Sequence, residues 1–295
     1  MRSPPSYTQL PKFPVIAGPM LAAIGVSLAF WLKQDIARLE LGPEIADGQV
    51  WRLFTSTLPH ANIFHLLFNL AWFWIFGTLL VEVWGSLRTA LVCALLAAGS
   101  MGAEYAVFDG GIGLSGVGYG LFGLIWSLGR FDRRFAGVVD QKTVSLFVIW
   151  FFLCILTTVL GIMPVANVAH GMGLVLGFVL GEMLGQPYRA RRIGAFVVEG
   201  LLIAAIVVGM TVGRPYVNLS SQRGAQEAYL AYKSLTDGRN DDGIKWGRRA
   251  VRLNPKDQGA WTNLGVAYHR AGQAAEAEAA WEKASALPQG LTPKK

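Results

Sequence analysis

Residues 111–123 read GIGLSGVGYGLFG: six glycines in an apolar run, with one hydroxyl, Ser115, among them. Each glycine costs a helix about 0.5–1 kcal/mol relative to alanine, so a run this rich points to a surface that must stay free of side chains. Gly116, Gly120 and Gly123 fall at helical spacing and form such a stripe. A second stretch, VANVAHGMGLVLGFVLG at 165–181, places Gly173, Gly177 and Gly181 behind His170 in the same way. Small-xxx-small faces let helix backbones approach closely. If the two stripes meet, Ser115 and His170 come within hydrogen-bond reach from different helices. Helix packing alone explains the glycines but not a serine and a histidine beside them.

The rest of the chain says what those helices sit in. Of 295 residues, 53% are hydrophobic and only 15% charged, against roughly a quarter charged in average soluble domains. The mean hydropathy is +0.41. Disorder, collagen-like repeats and a disulfide scaffold are excluded on that composition. Cys93 and Cys154 both lie in apolar runs, so neither a cysteine-based metal cluster nor a cystine framework is expected. Apolar stretches near 13–32, 61–81, 89–108, 113–129, 143–163, 165–186 and 194–213 approach or exceed the roughly 20 residues that cross a bilayer core. The expected fold class is therefore all-α, a polytopic membrane bundle of seven spans. The fourth, short and glycine-rich, suits a helix surrounded by other helices. The first reads as a retained span, because no small-x-small cleavage site follows it.

Orientation follows from the basic residues. With the N-terminus cytoplasmic, the inner segments hold Arg2, Lys12, Arg88, Arg130, Arg133, Arg134, Lys142, Arg189, Arg191 and Arg192, and the outer loops only Lys33, Arg38 and Arg52. Seven spans then leave everything after Arg214 on the outer side. That tail carries +5 of the net +7 as solvated surface, without the basic–aromatic interleaving of a nucleic-acid partner. It also contains a repeat. Trp261, Leu264, Gly265, Tyr268, Gly272, Ala277, Trp281 and Ala284 follow W-x2-L-G-x2-Y and A-x3-aromatic-x2-A. A weaker copy 34 residues earlier holds Leu230, Gly238, Gly243, Ala250 and Pro255. The pattern resembles the tetratricopeptide repeat, a helix-turn-helix unit.

Polar residues inside spans are expensive and each needs an account. His65, Asn69, Ser115 and His170 stand out. His65 and Asn69, four apart in VWRLFTSTLPHANIFHLLFN (50–69), share one face of the second span. Tyr119 lies one turn beyond Ser115. A serine beside a histidine suggests nucleophilic catalysis, the imidazole acting as general base. The oxyanion that amide hydrolysis develops needs donors, and His65, Asn69 and the Ser115 amide are of the right type. On the charge-derived topology, Ser115, His170 and His65 lie at one level below the outer surface. A hydrated cavity open to the outside is expected there, capped by segment 162–168 and the fifth span.

H-x3-N on the second span, G-x-S-G on the fourth and A-H-x2-G on the sixth together resemble the rhomboid intramembrane serine proteases, over roughly residues 45–185. The resemblance implies Ser115 as nucleophile and His170 as base, a dyad with no third carboxylate. It implies Tyr119 as the ring stacked on His170, and His65 and Asn69 as oxyanion side chains. Gly113 and Gly116 would keep the backbone open around the serine. Trp51 and Arg52 match a structural outer-loop pair, and His60 and Asn167 match supporting positions. The expected organisation is a cytoplasmic N-terminus 1–12, a six-span catalytic domain 13–188, a linker and seventh helix 189–213, a linker 214–223 and a repeat domain 224–295.

Glu182 and Glu199 are read as lying near helix ends, reaching headgroups or a basic neighbour. No H-E-x-x-H motif and no pair of membrane aspartates is present, so a serine endopeptidase without metal or cofactor is the expected activity. Transmembrane proteins are the expected substrates, the bilayer is the setting, and a protein partner is expected at the tail. The location expected is a bacterial inner membrane. The alternative is an inactive rhomboid-like protein that binds membrane clients through its tail. Such proteins typically lose the serine, the histidine or the adjacent glycine, all three of which are retained here.

Overall fold

The computed structural model describes residues 4–220 and 223–287. Residues 1–3, 221–222 and 288–295 lie outside the described residues, and with them Arg2 and the ends of the expected N-terminal segment, linker and repeat tail. All regular structure among the described residues is helical. Contacts divide the chain into two units, Met1–Leu41 with Val50–Arg214, and Gly42–Gln49 with Pro215–Lys295.

The first unit is the membrane bundle. Its helices are α1 (Pro14–Trp31), a single turn α2 (Arg52–Thr55), α3 (Ile63–Trp84), α4 (Ser86–Val107), α5 (Ser115–Leu128), α6 (Gln141–Val159), α7 (Asn167–Gly185) and α8 (Arg189–Met210). Six of them are long and apolar enough to cross a membrane. The seventh, α5, has 14 residues, about 21 Å of helix, and is buried along almost its whole length. A helix this short escapes the length requirement because protein rather than lipid surrounds it. The last span begins at Arg189, not 194, so Arg189, Arg191 and Arg192 form its first turn.

The glycine stripes decide how the centre packs. A Cβ on Gly173 would strike the Gly116 carbonyl, and one on Gly177 the Gly120 carbonyl. The two pairs run in the same order, so α5 and α7 are parallel and begin at the same end of the bundle. Around them, Leu96 of α4 fills the space left by Gly120, and Ser100 that left by Gly116. On the far side of α4, Gly102 admits Ile206 and Met210 of α8. Helix α6 is held mainly by aromatics. Phe147 stacks on Phe122 at 4.2 Å and meets Trp72 and Tyr119 edge-on, while Ile149, Phe152 and Leu156 face outward.

Glu182 lies near the end of α7 and pairs with Arg130, as a carboxylate with a basic neighbour should; Ser127 also donates to it, at 2.8 Å. Glu199 departs from expectation. It lies midway along α8, is 5% exposed, and neither carboxyl oxygen finds a partner. The early start of α8 moves Glu199 away from the helix end and into its packed face with Ile206.

The second unit holds α9 from Pro215 on (Arg214–Val217), then α10 (Ala225–Thr236), α11 (Asn240–Leu253), α12 (Gln258–Arg270) and α13 (Ala274–Ser285). The last four form two helical hairpins. Their turns carry Gly238 and Gly272 at φ +75° and +77°, a backbone region open mainly to glycine. Large residues fill gaps left by small ones. Trp281 of α13 lies against Gly265 of α12, and Leu235 of α10 against Gly243 of α11. Segment Gly42–Gln49 belongs to this unit, with Asp47 3.3 Å from Lys233 of α10.

Candidate active site

The serine is placed by a loop and a helix start. Gly113 has φ +102°, the region in which a side chain would be strained, and its amide bonds to the Ser56 carbonyl at 3.1 Å. The turn is further closed by His60, whose Nε2 accepts from the Leu114 amide at 3.3 Å. Its other nitrogen, Nδ1, lies 2.8 Å from the Leu58 carbonyl and 3.3 Å from Ser27 Oγ. With Nε2 accepting, Nδ1 carries the hydrogen and donates to Leu58. Buried completely, His60 fixes the residue immediately before Ser115. Ser115 is then the first residue of α5, so its amide is among the four a helix leaves without an internal partner.

His170 enters from the first turn of α7, and its Nε2 lies 2.7 Å from Ser115 Oγ, a full-strength hydroxyl–imidazole hydrogen bond. Tyr119 stacks on the imidazole, with centroids 4.8 Å apart and planes 26° from parallel. The Tyr119 hydroxyl donates to the Phe147 carbonyl of α6 at 3.0 Å, tying the ring to a second element. His170 Nδ1 is buried and has no partner.

His65, in the first turn of α3, presents its Nε2 edge to Gly113; a Cβ there would fall 2.9 Å from it. Its Nδ1 accepts from the Ala61 amide at 3.3 Å. Asn69 is buried and its Nδ2 donates to the His65 carbonyl at 2.8 Å, leaving one amide hydrogen uncommitted there. Asn167 donates through Nδ2 to Thr158 Oγ1 of α6 at 2.9 Å, and its Oδ1 has no partner. Arg52 is 5% exposed and donates to the carbonyls of Ala37 and Glu40 at 2.6 and 2.8 Å, lacing the loop after α1, while Trp51 is half exposed. Ser115, His170, Tyr119, His65, Gly113 and His60 thus converge. Arg52 instead laces the loop after α1.

One residue of this region was not singled out by motif. Glu104, in the last turn of α4, is 2% exposed, and its Oε2 accepts from the Ala169 amide at 2.9 Å. A carboxylate inside a span is itself a signal, but nothing in the sequence says which helix end it reaches. Among the described residues no group of three or more His, Cys, Asp or Glu could hold a metal ion.

A rhomboid-domain family model matches residues 47–187. The chain carries a rhomboid domain. The two glycine-striped helices, the Ser115 turn and His170 all fall inside it. A tetratricopeptide-repeat model matches residues 247–279, the second half of α11, all of α12 and the first half of α13. Among curated proteins, the chain is 31% identical to "Rhomboid protease GlpG" of Pectobacterium atrosepticum over 186 residues, covering 59% of this chain and 66% of that protein. It is 28% identical to "Rhomboid protease GluP" of Bacillus subtilis over 263 residues, covering 76% of this chain and 50% of that one. The chain thus spans between half and two thirds of the length of these relatives. Its rhomboid domain is accompanied by a helical repeat, in a multi-pass helical membrane protein.

Proposed function

We propose that this chain is an intramembrane serine protease that cuts peptide bonds in or beside the transmembrane segments of other membrane proteins. The observation that carries the reading is the 2.7 Å approach of His170 Nε2 to Ser115 Oγ, at the shared starting end of two glycine-packed helices. His170 Nε2 takes the hydroxyl proton as Ser115 Oγ attacks the scissile carbonyl. The oxyanion that forms is met by the Ser115 amide and by the side chains of His65 and Asn69. Asn69 uses the hydrogen it does not spend on the His65 carbonyl. As the tetrahedral species collapses, the C–N bond breaks and His170 returns the proton to the leaving amine, leaving Ser115 acylated. Water, deprotonated by the same imidazole, then frees the acid. No acidic side chain meets His170 Nδ1, so the stacked Tyr119 ring keeps the imidazole facing the serine. Both names that the relatives carry, GlpG and GluP as rhomboid proteases, support the reading.

A helical substrate keeps its amides internally bonded, so good substrates carry helix-weakening residues near the cut. The repeat is proposed to recruit a substrate's exported portion or an assembly partner. The location proposed is a bacterial inner membrane, with the N-terminus cytoplasmic and the repeat outside.

The test is cleavage of a single-span reporter in proteoliposomes by wild type, Ser115→Ala and His170→Ala. Cleavage by wild type alone is expected. Ser115→Ala retaining even a tenth of the rate overturns the assignment. Folded wild type without activity leaves the client-binding reading in its place.

A further inference from the structure

We propose that Glu104 is a positioning residue for His170: it holds the α7 N-terminus at the depth that brings the imidazole onto Ser115. The inference rests on the protease reading and deepens it.

On its own helix Glu104 is badly placed. It sits in the last turn of α4, where the helix dipole is negative, and its backbone carbonyl already accepts from Phe108 at 2.7 Å. At 2% exposure its carboxylate has no recourse to bulk water. What offsets this is the start of α7. A helix begins with four amides lacking internal partners, here those of Ala166 to Ala169. The Asn167 amide bonds to the Val165 carbonyl at 2.8 Å, and the regular helical bonds start with the His170 amide on the Ala166 carbonyl at 3.1 Å. The Ala169 amide bonds to the Glu104 carboxyl at 2.9 Å. Ala166, at the N-cap position, has no side chain that can do this, and no local cap is formed. The cap comes instead from another helix, an acceptor oxygen placed at the positive end of α7.

Two further contacts aim this cap at the reaction. Ala169 immediately precedes His170, so the bond constrains the backbone from which the imidazole springs. Gly111, in the turn leading to Ser115, passes so close that a Cβ there would lie 2.9 Å from Glu104 Cγ and 3.3 Å from the Ala166 side chain. One side chain therefore lies against both chain segments of the dyad, its carboxyl at α7 and its Cγ at the Gly111 turn. With His170 Nδ1 unpartnered, the ring takes its place from the backbone that Glu104 fixes and from the Tyr119 face.

The test compares wild type, Glu104→Leu and Glu104→Gln in nanodiscs. Three quantities are measured: hydrogen exchange over 166–172, labelling of Ser115 by a fluorophosphonate, and kcat and KM on the single-span reporter. Glu104→Leu should lose protection at Ala169 and lower kcat and labelling about 100-fold, the scale of a 1 Å misplacement, with KM within about twofold. Glu104→Gln keeps one acceptor oxygen and should recover most of the protection and come within about tenfold of wild type. If Glu104→Leu does not fold, Glu104→Asp, which withdraws the carboxylate by one methylene, replaces it with the same expectation. Unchanged exchange in the Leu or Asp variant overturns the proposal, and so does lost protection with unchanged kcat and labelling. Wild type that neither cleaves nor labels sinks the protease reading instead, and the exchange comparison still decides whether Glu104 holds α7.

Discussion

Tyr119 separates two kinds of contact in one side chain. Its ring lies over His170 and its hydroxyl ties α5 to the Phe147 carbonyl of α6. Tyr119→Phe keeps the ring and gives up one neutral hydrogen bond, worth about 0.5–1.5 kcal/mol. It should lower the thermal midpoint slightly and leave fluorophosphonate labelling within about tenfold of wild type. Tyr119→Ala frees the imidazole to turn away and should slow labelling about 100-fold. Equal rates in the two variants would mean that the stack does not orient His170. Ser115, His170 and Tyr119 were legible as residue types at helical offsets. His60 and Glu104 were not legible in their roles. What they do depends on which backbone amide of a distant segment comes to rest beside them, Leu114 for one and Ala169 for the other.

At the scale of elements, α5 and α7 meet backbone to backbone, and neighbouring glycines on these helices should respond with opposite sign. A methyl on Gly177 has nowhere to go, because the Gly120 carbonyl already occupies the space and a backbone cannot repack. Gly177→Ala should therefore destabilise at the upper end of the about 1–3 kcal/mol typical of overpacking. A Cβ on Gly118, on the other face of α5, meets nothing within 4 Å. Gly118→Ala should stabilise by up to about 1 kcal/mol through helix propensity alone. Thermal unfolding of the two variants in the same detergent checks the pair; a Gly177→Ala protein as stable as wild type would mean that the helices are not in this register. The spacing of the glycines announced a close approach. It did not say that the partners lie in parallel register, nor that Leu96 and Ser100 of α4 fill the remaining notches.

For the whole molecule, the proposed span count predicts the sidedness. On the proposed topology the six long apolar helices and the buried α5 each cross once, so the ends of the chain should lie on opposite sides of the membrane. In a chain lacking Cys93 and Cys154, Tyr232→Cys on the exposed face of α10 should react with an impermeant maleimide from outside intact cells. Tyr7→Cys, also exposed, should react only after lysis. Labelling of both from one side would mean an even number of crossings and a misread α5 or α8.

Apolar run length, glycine and motif spacing, and the excess of arginine in alternate loops are local properties of the chain. They sufficed for an all-helical membrane bundle, a rhomboid domain holding Ser115 and His170, and a repeat-bearing tail. Glu199 shows the limit of that reading. Moving the start of α8 five residues earlier turns a presumed end group into a buried, unpartnered carboxyl. Likewise, only the fold assigned Glu104 to the α7 N-terminus and Gly42–Gln49 to the repeat unit. Those pairings join groups far apart in sequence, whose meeting is set by how whole helices stack, and no local pattern encodes where a stacked helix ends.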